Sequence, residues 1–220
     1  MRKYFLTIGL LLAMSIILVN FTSCNNNEPD APRQTVTSIE AENVIGNTSG
    51  IATVKLGDRT WQVNGPYRGE HYVVFAEAPF VNNGFVLNLP EYMPGNTRWI
   101  LPDDAVVTNR DARLCLRDWL EVFDENGSYM GLFLLRHETD GKAYEVAWLY
   151  SDRPHSVRSK ETVVGSDGFL FLRKLNLELE KGWNLTYFIV DRANRTTLRT
   201  TEKPTDVEFR WYFYENSGAE

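Results

Sequence analysis

The sequence predicts an all-β fold, an antiparallel β-sandwich of immunoglobulin-like or barrel-like form, and three observations carry that reading. Apolar and polar residues alternate with a period of two along most of the chain. Turn signals separate strand-sized runs at intervals of roughly 8–15 residues. No long segment sustains the 3.6-residue apolar period of a helix.

Taken in chain order, Gly57-Asp58 and Asn82-Asn83-Gly84 mark the first reversals. A weak seam follows at Met93–Asp104, where Pro94-Gly95 and Pro102-Asp103 bracket Trp99-Ile100-Leu101. The seam places a sub-boundary near residue 102 and allows two small β units, roughly 36–102 and 103–216. Asp111–Phe123 is the best helical candidate, but Leu114, Leu116 and Leu120 fit a strand as well, and we read it as one. Asn126-Gly127, inside Asp124-Glu125-Asn126-Gly127, is the strongest short hairpin signal in the chain. Ala143–Tyr150 and Trp183–Val190 are rich in branched and aromatic residues, as strands are. Asp140-Gly141, Asp167-Gly168 and Lys181-Gly182 mark further turns. Leu175-Asn176-Leu177-Glu178-Leu179-Glu180 alternates strictly, which describes a strand with one wet face. In Val207–Tyr214 the alternation puts Trp211 with Phe213 on one face and Tyr212 with Tyr214 on the other.

The first thirty residues have a different character. Arg2 and Lys3 precede an apolar run from Tyr4 to Val19, broken by Thr7, Gly9 and Ser15. This is the layout of an export signal. The run falls short of the ~20 apolar residues that span a bilayer, which weighs against an uncleaved anchor. Phe21-Thr22-Ser23-Cys24 resembles a lipobox, with a small residue before an obligatory Cys, although Phe21 stands where Leu is commonest. The resemblance to bacterial lipoproteins implies cleavage before Cys24 and attachment of palmitate-like acyl chains there. Two or more such chains hold a protein stably at a membrane. Residues 1–23 are thus expected to be a signal peptide, 24–35 a flexible tether rich in Asn and Pro, and 36–216 the β domain.

Asn25 rather than Asp follows the Cys, which in enteric-type lipoproteins favours the outer membrane; the domain would face the periplasm or the exterior. Asn83-Gly84-Phe85-Val86-Leu87-Asn88-Leu89-Pro90 and Lys181-Gly182-Trp183-Asn184 resemble segments of outer-membrane lipoproteins from Bacteroidetes-type bacteria. That likeness names a group and no activity.

Without residues 1–23 the chain keeps 21 basic and 29 acidic residues, a net charge of −8. Such a balance argues against nucleic acid as a partner, because phosphate needs a basic face. Cys115 is left as the second cysteine and is expected to be a buried, inert thiol. His71, His137 and His155 lack metal-ligand spacing, so neither a metal nor a cofactor is expected. No phosphate-binding glycine loop and no G-x-S-x-G elbow occurs. Glu178 and Glu180 share a strand face, and paired carboxylates are what glycosidases use, but beside Lys181 they read as solvated. The Asp124–Ser128 turn offers oxygens without EF-hand spacing. Arg192, Arg195, Arg199 and Lys203 form a local basic cluster.

The aromatic content stands out, with six Trp, ten Tyr and twelve Phe. Most should build core. Tyr212, Tyr214 and Trp183 are the candidates for rings that face a ligand, a glycan or a protein partner. The expected function is a lipid-anchored, non-enzymatic binding or structural module of the cell envelope. A pilus-like assembly subunit that donates the Val207–Tyr214 strand, and a glycan or peptide hydrolase, are the alternatives.

Overall fold

A computed structural model describes residues 35–62, 69–93, 101–164 and 170–216, with the backbone alone for 58–62, 69–71 and 164. Cys24, the leader, most of the tether and the Asp167-Gly168 turn lie outside the described residues. The described chain is all-β, with antiparallel sheets packed as a sandwich.

The strands are β1 (Ser38–Ala41), β2 (Thr53–Gln62), β3 (Gly69–Pro79), β4 (Phe85–Asn88), β5 (Val106–Val107), β6 (Leu114–Arg117) and β7 (Leu120–Phe123). They continue as β8 (Tyr129–Thr139), β9 (Lys142–Ser151), β10 (His155–Val164), β11 (Leu170–Leu179), β12 (Gly182–Asp191), β13 (Thr196–Thr200) and β14 (Arg210–Glu215). β1 and β4 form a two-stranded ribbon, and the others follow the order β3-β2-β7-β8-β9-β12-β13-β11-β10-β5. β14 joins β8, and β6 joins β9.

The registers explain how one ladder yields two facing layers. Leu132 of β8 lies opposite both Glu121 of β7 and Tyr214 of β14, so those two strands occupy opposite edges of β8. Arg136 lies opposite both Arg210 and Glu145, which puts β9 on the same edge as β7. The β8–β9 hairpin is therefore paired at Arg136–Thr139 and splayed beyond, and the β6–β7 segment fills the opening. β6 pairs with the half of β9 remote from the Asp140-Gly141 turn, and β7 with the half of β8 remote from it.

Between the layers lies the larger core. Val54, Leu56, Leu120, Val122, Phe133 and Trp211 come from one layer, and Cys115, Val146, Trp148, Tyr150, Trp183 and Tyr187 from the other. The rings of Trp148 and Trp211 stack across it, 5.7 Å apart and 9° from parallel. The β1–β4 ribbon closes it with Ile39, Ala41, Phe85 and Leu87. Two indole N–H groups tie the closure down: Trp211 Nε1 donates to Glu40 O at 3.0 Å and Trp183 Nε1 to Pro90 O at 2.8 Å. A buried indole needs such an acceptor, because an unsatisfied buried donor is costly. A second core, of Leu114, Leu149, Val157, Leu175, Leu177 and Leu179, lies on the other face of β9. β9 is thus buried on both faces, and Ala143–Tyr150 reads as nearly continuous apolar sequence for that reason.

Several turns follow from local chemistry. Asn82 and Asn83 both take positive φ, 51° and 58°, and Val81 and Gly84 exchange hydrogen bonds of 3.0 Å around them. Asparagine tolerates that region, which a two-residue hairpin requires. The Asp124 carboxylate accepts from the backbone N–H groups of Ser128 and Asn126 at 2.7 and 2.9 Å, while Gly127 supplies φ 79°. These bonds hold the Asp124 carboxyl below its ordinary pKa, that from Ser128 first.

Two local expectations are corrected. Gly57-Asp58 is not a reversal; it lies inside β2, where the β2–β3 register shifts between Leu56 and Gly57. Glycine stands there for space, since a Cβ would come within 2.4 Å of the Tyr72 ring. Asp111–Phe123 is not one strand but two, β6 and β7, broken at Asp118-Trp119. The ladder also departs from pure antiparallel pairing where β13 runs parallel to β11.

On either side of Met93–Asp104 the chain shares one ladder and one core: Thr53–Lys55 of β2 pair with Glu121–Phe123 of β7, and Ile45 bridges to Tyr212. The described residues from 35 to 216 cluster as one compact unit.

Candidate ligand-binding face

The break in Asp111–Phe123 creates the most distinctive surface. Cys115 of β6 points into the larger core, as do Leu120 and Val122 of β7. The inward phase therefore changes from odd to even positions across the corner, and Asp118 and Trp119 both turn outward. Trp119 is left 47% exposed. The corner follows the end of β6 at Arg117 opposite Trp148 and precedes the start of β7 at Leu120 opposite Phe133. It therefore emerges between the splayed strands β8 and β9.

Around it the strands present one continuous face, opposite the larger core. One cross-strand row runs Arg210, Arg136, Glu145, Phe188, Arg199 over β14, β8, β9, β12 and β13. Tyr212 lies opposite Leu134, and Tyr214 opposite Leu132, on the same side. Tyr214 is 38% exposed and Tyr212 half-buried. Arg136 Nη1 donates to the Tyr214 hydroxyl at 2.6 Å, and its guanidinium lies 5.6 Å from that ring.

The corner is held from below. Arg199, 8% exposed, reaches Asp118 Oδ1 at 2.8 Å, with its guanidinium 4.9 Å from the Phe188 ring. Its Nη1 lies 3.4 Å from Thr186 Oγ1, which itself donates to Ala147 O. The other arginines of the face are also matched with carboxylates. Arg136 pairs with Glu138, Arg192 with Glu138 at 3.2 Å, and Arg210 with Glu208 at 3.2 Å. The face thus offers rings and neutralised ion pairs rather than a field of one sign.

The residues singled out in the sequence divide as follows. Tyr212 and Tyr214 share this face. Trp183 does not: it is 3% exposed, packed edge-on against Tyr150 with its N–H on Pro90 O, so it is a core residue and no ligand-facing ring. Cys24 lies outside the described residues. Trp119 was not singled out, and its signal was a lone Asp in the apolar phase of Leu114, Leu116, Leu120 and Val122.

The remaining candidate chemistry is spread out. His137 Nδ1 lies 2.9 Å from Glu208 O, while His155 is buried with Nδ1 3.1 Å from Arg153 O and 3.2 Å from Ser151 Oγ. The Ser151 hydroxyl donates to Arg153 O and is itself fully buried, so it fixes the β9–β10 corner and cannot reach a substrate. Glu178 pairs with Arg158 at 2.6 Å. Arg199 leaves the basic cluster, since it is internal and paired. Among the described residues no group of three His, Cys, Asp or Glu could hold a metal ion. A cleft of about 630 Å³ lies beside the Asn82-Asn83 turn, with Glu40 and Glu42 on its rim. Both carboxylates are exposed, and Ser38 Oγ donates to Glu40.

The chain matches no known protein family, and no curated protein or solved structure is significantly similar to it.

Proposed function

We propose that this protein is a lipid-anchored component of the cell envelope, held through acylated Cys24, whose β domain binds a ligand without transforming it. The outer membrane is the expected site, and Asn25 and the Asn-rich tether support that placement.

One observation carries the binding reading: Trp119 and Tyr214 stand exposed on a sheet face whose arginines are already matched with carboxylates. Rings gathered on one face of a sheet, rather than scattered singly, mark an interaction surface. The same inventory weighs against hydrolysis, because the carboxylates of this face are matched with arginines instead of being opposed across a cleft. Strand donation to a neighbour would first have to unzip β14 from β8 and withdraw Trp211 and Phe213 from the core.

The intact mass of protein recovered from membranes tests the anchor. A mature start at Cys24 with added acyl mass, lost in Cys24→Ala, is expected; a chain still carrying Met1, or cut elsewhere without lipid, would sink it.

A further inference from the structure

We infer that the ligand of this face is an uncharged oligosaccharide chain, with Trp119 as its central stacking residue; the inference rests on the binding reading above. Three features point to that chemistry. The first is the kind of surface exposed. An aromatic ring has a negative face that attracts weakly positive C–H groups, and a sugar ring presents such groups on one side. Tyr212 and Tyr214, two residues apart on β14, space their rings about 7 Å along the strand. With Trp119 at the corner on the far side of β8, they suit a chain of rings better than a single one.

The second feature is charge. A phosphate or uronate would call for a cation without a partner, yet Arg136 and Arg192 share Glu138, Arg199 holds Asp118 and Arg210 holds Glu208. The net charge of −8 expected for the exported chain would repel an anionic polymer as well. Paired guanidinium and carboxylate groups still have donors and acceptors to spare at their rims. Those rims can bind neutral hydroxyls.

The third feature is how Trp119 is presented. It directly follows Asp118, which is clamped by Arg199 of β13, two strands beyond β9 in the sheet. A side chain on a short corner would ordinarily lose rotational freedom on binding. Here the clamp fixes the backbone of the corner beforehand, and the indole is offered from a rigid base.

Affinity electrophoresis of the detergent-solubilised full chain tests this directly. Gels would be cast with uncharged polysaccharides (mixed-linkage β-glucan, mannan, arabinoxylan) or with uronate polymers (alginate, pectate). Retardation by an uncharged polymer is expected, and it should persist at ~1 M salt, where the screening length is only about 3 Å. Trp119→Ala and Tyr214→Ala should each weaken it about tenfold or more, as loss of an aromatic anchor does at interfaces, with unchanged thermal melts. Retardation by uronate polymers alone, collapsing with salt but still lost in Trp119→Ala, would overturn the uncharged ligand and leave the binding face standing. No retardation in any gel, or retardation indifferent to both substitutions, would overturn both.

Discussion

The molecule splays a pair of strands twice, and it fills the two openings differently. In the first, β8 and β9 part beyond the Asp140-Gly141 turn, and the β6–β7 corner enters from outside the hairpin. In the second, β11 and β12 leave the turn around Lys181 and diverge, and β13 enters between them. β13 arrives directly from β12 by a hairpin, so it must run parallel to β11. The first filling carries two outward residues at a sharp corner, one of them an exposed tryptophan. The second carries Arg199, which is buried. The two are then joined, because Arg199 reaches across to Asp118. Opening a strand pair creates room that the chain must refill, and the manner of refilling decides whether the site faces water or core.

The two openings also differ in what locks their closed ends. The second is stitched by Asn184, 5% exposed, whose Oδ1 accepts from Glu180 N at 2.9 Å. Its Nδ2 lies within hydrogen-bonding distance of Glu180 O, Gly182 O and Leu149 O. The first closed end relies on backbone pairing and on Gly141, which takes φ 84°. Breaking the second lock should therefore have the largest effect. Asn184→Ala strands several backbone groups and is expected to cost about 3 kcal/mol in urea denaturation. A loss below ~1 kcal/mol would mean that the turn holds without it.

The link between the openings should matter less. Arg199→Met leaves Asp118 without its partner, but Asp118 is partly exposed, so we expect about 2 kcal/mol, below the usual cost of orphaning a fully buried charge. Adding Asp118→Asn should recover about half of that in a double-mutant cycle. Strict additivity would show that the two openings are energetically separate.

The smallest effect is read against pH. Asp191 ends β12 and accepts from the backbone N–H of Asn194 at 2.9 Å; that bond first, then the Asn194 side chain and Lys142, hold its carboxyl below the ordinary range. A carboxyl depressed in the folded state stabilises the fold above its unfolded pKa of about 3.9. That contribution fades as pH falls through the lower folded value. Asp191→Asn should therefore lose stability relative to the native chain at neutral pH, and the gap should narrow on acidification toward pH ~3. A gap that is constant or widens in acid would contradict this assignment.

Much of this fold is legible in the sequence, because alternation and turn chemistry are local. Leu175–Glu180 shows buried and half-buried residues in strict alternation, and Asn82-Asn83-Gly84 and Asn126-Gly127 turn as their side chains demand. Trp211 and Phe213 share the inner face, with Tyr212 and Tyr214 opposite. The site was only half legible. Alternation says that two residues share a face, not whether water lies on that face. Trp183 and Trp119 both sit among strand-like neighbours, and only long-range pairing buries one and exposes the other. Gly57 misled for a similar reason, because the Tyr72 ring that excludes a side chain there belongs to the next strand.

The hydrogen bond from Trp211 to Glu40 spans 171 residues of chain. Neither the ribbon that carries Glu40 nor the core it closes can reach its final state before the last strand is available. Folds dominated by such distant pairings form slowly, since the cost of closing long loops comes before the contacts reward it. A growing chain of this kind stays open until β14 is made. An open chain is extended and exposes its backbone, and here β14 and its bond to Glu40 are what end that state.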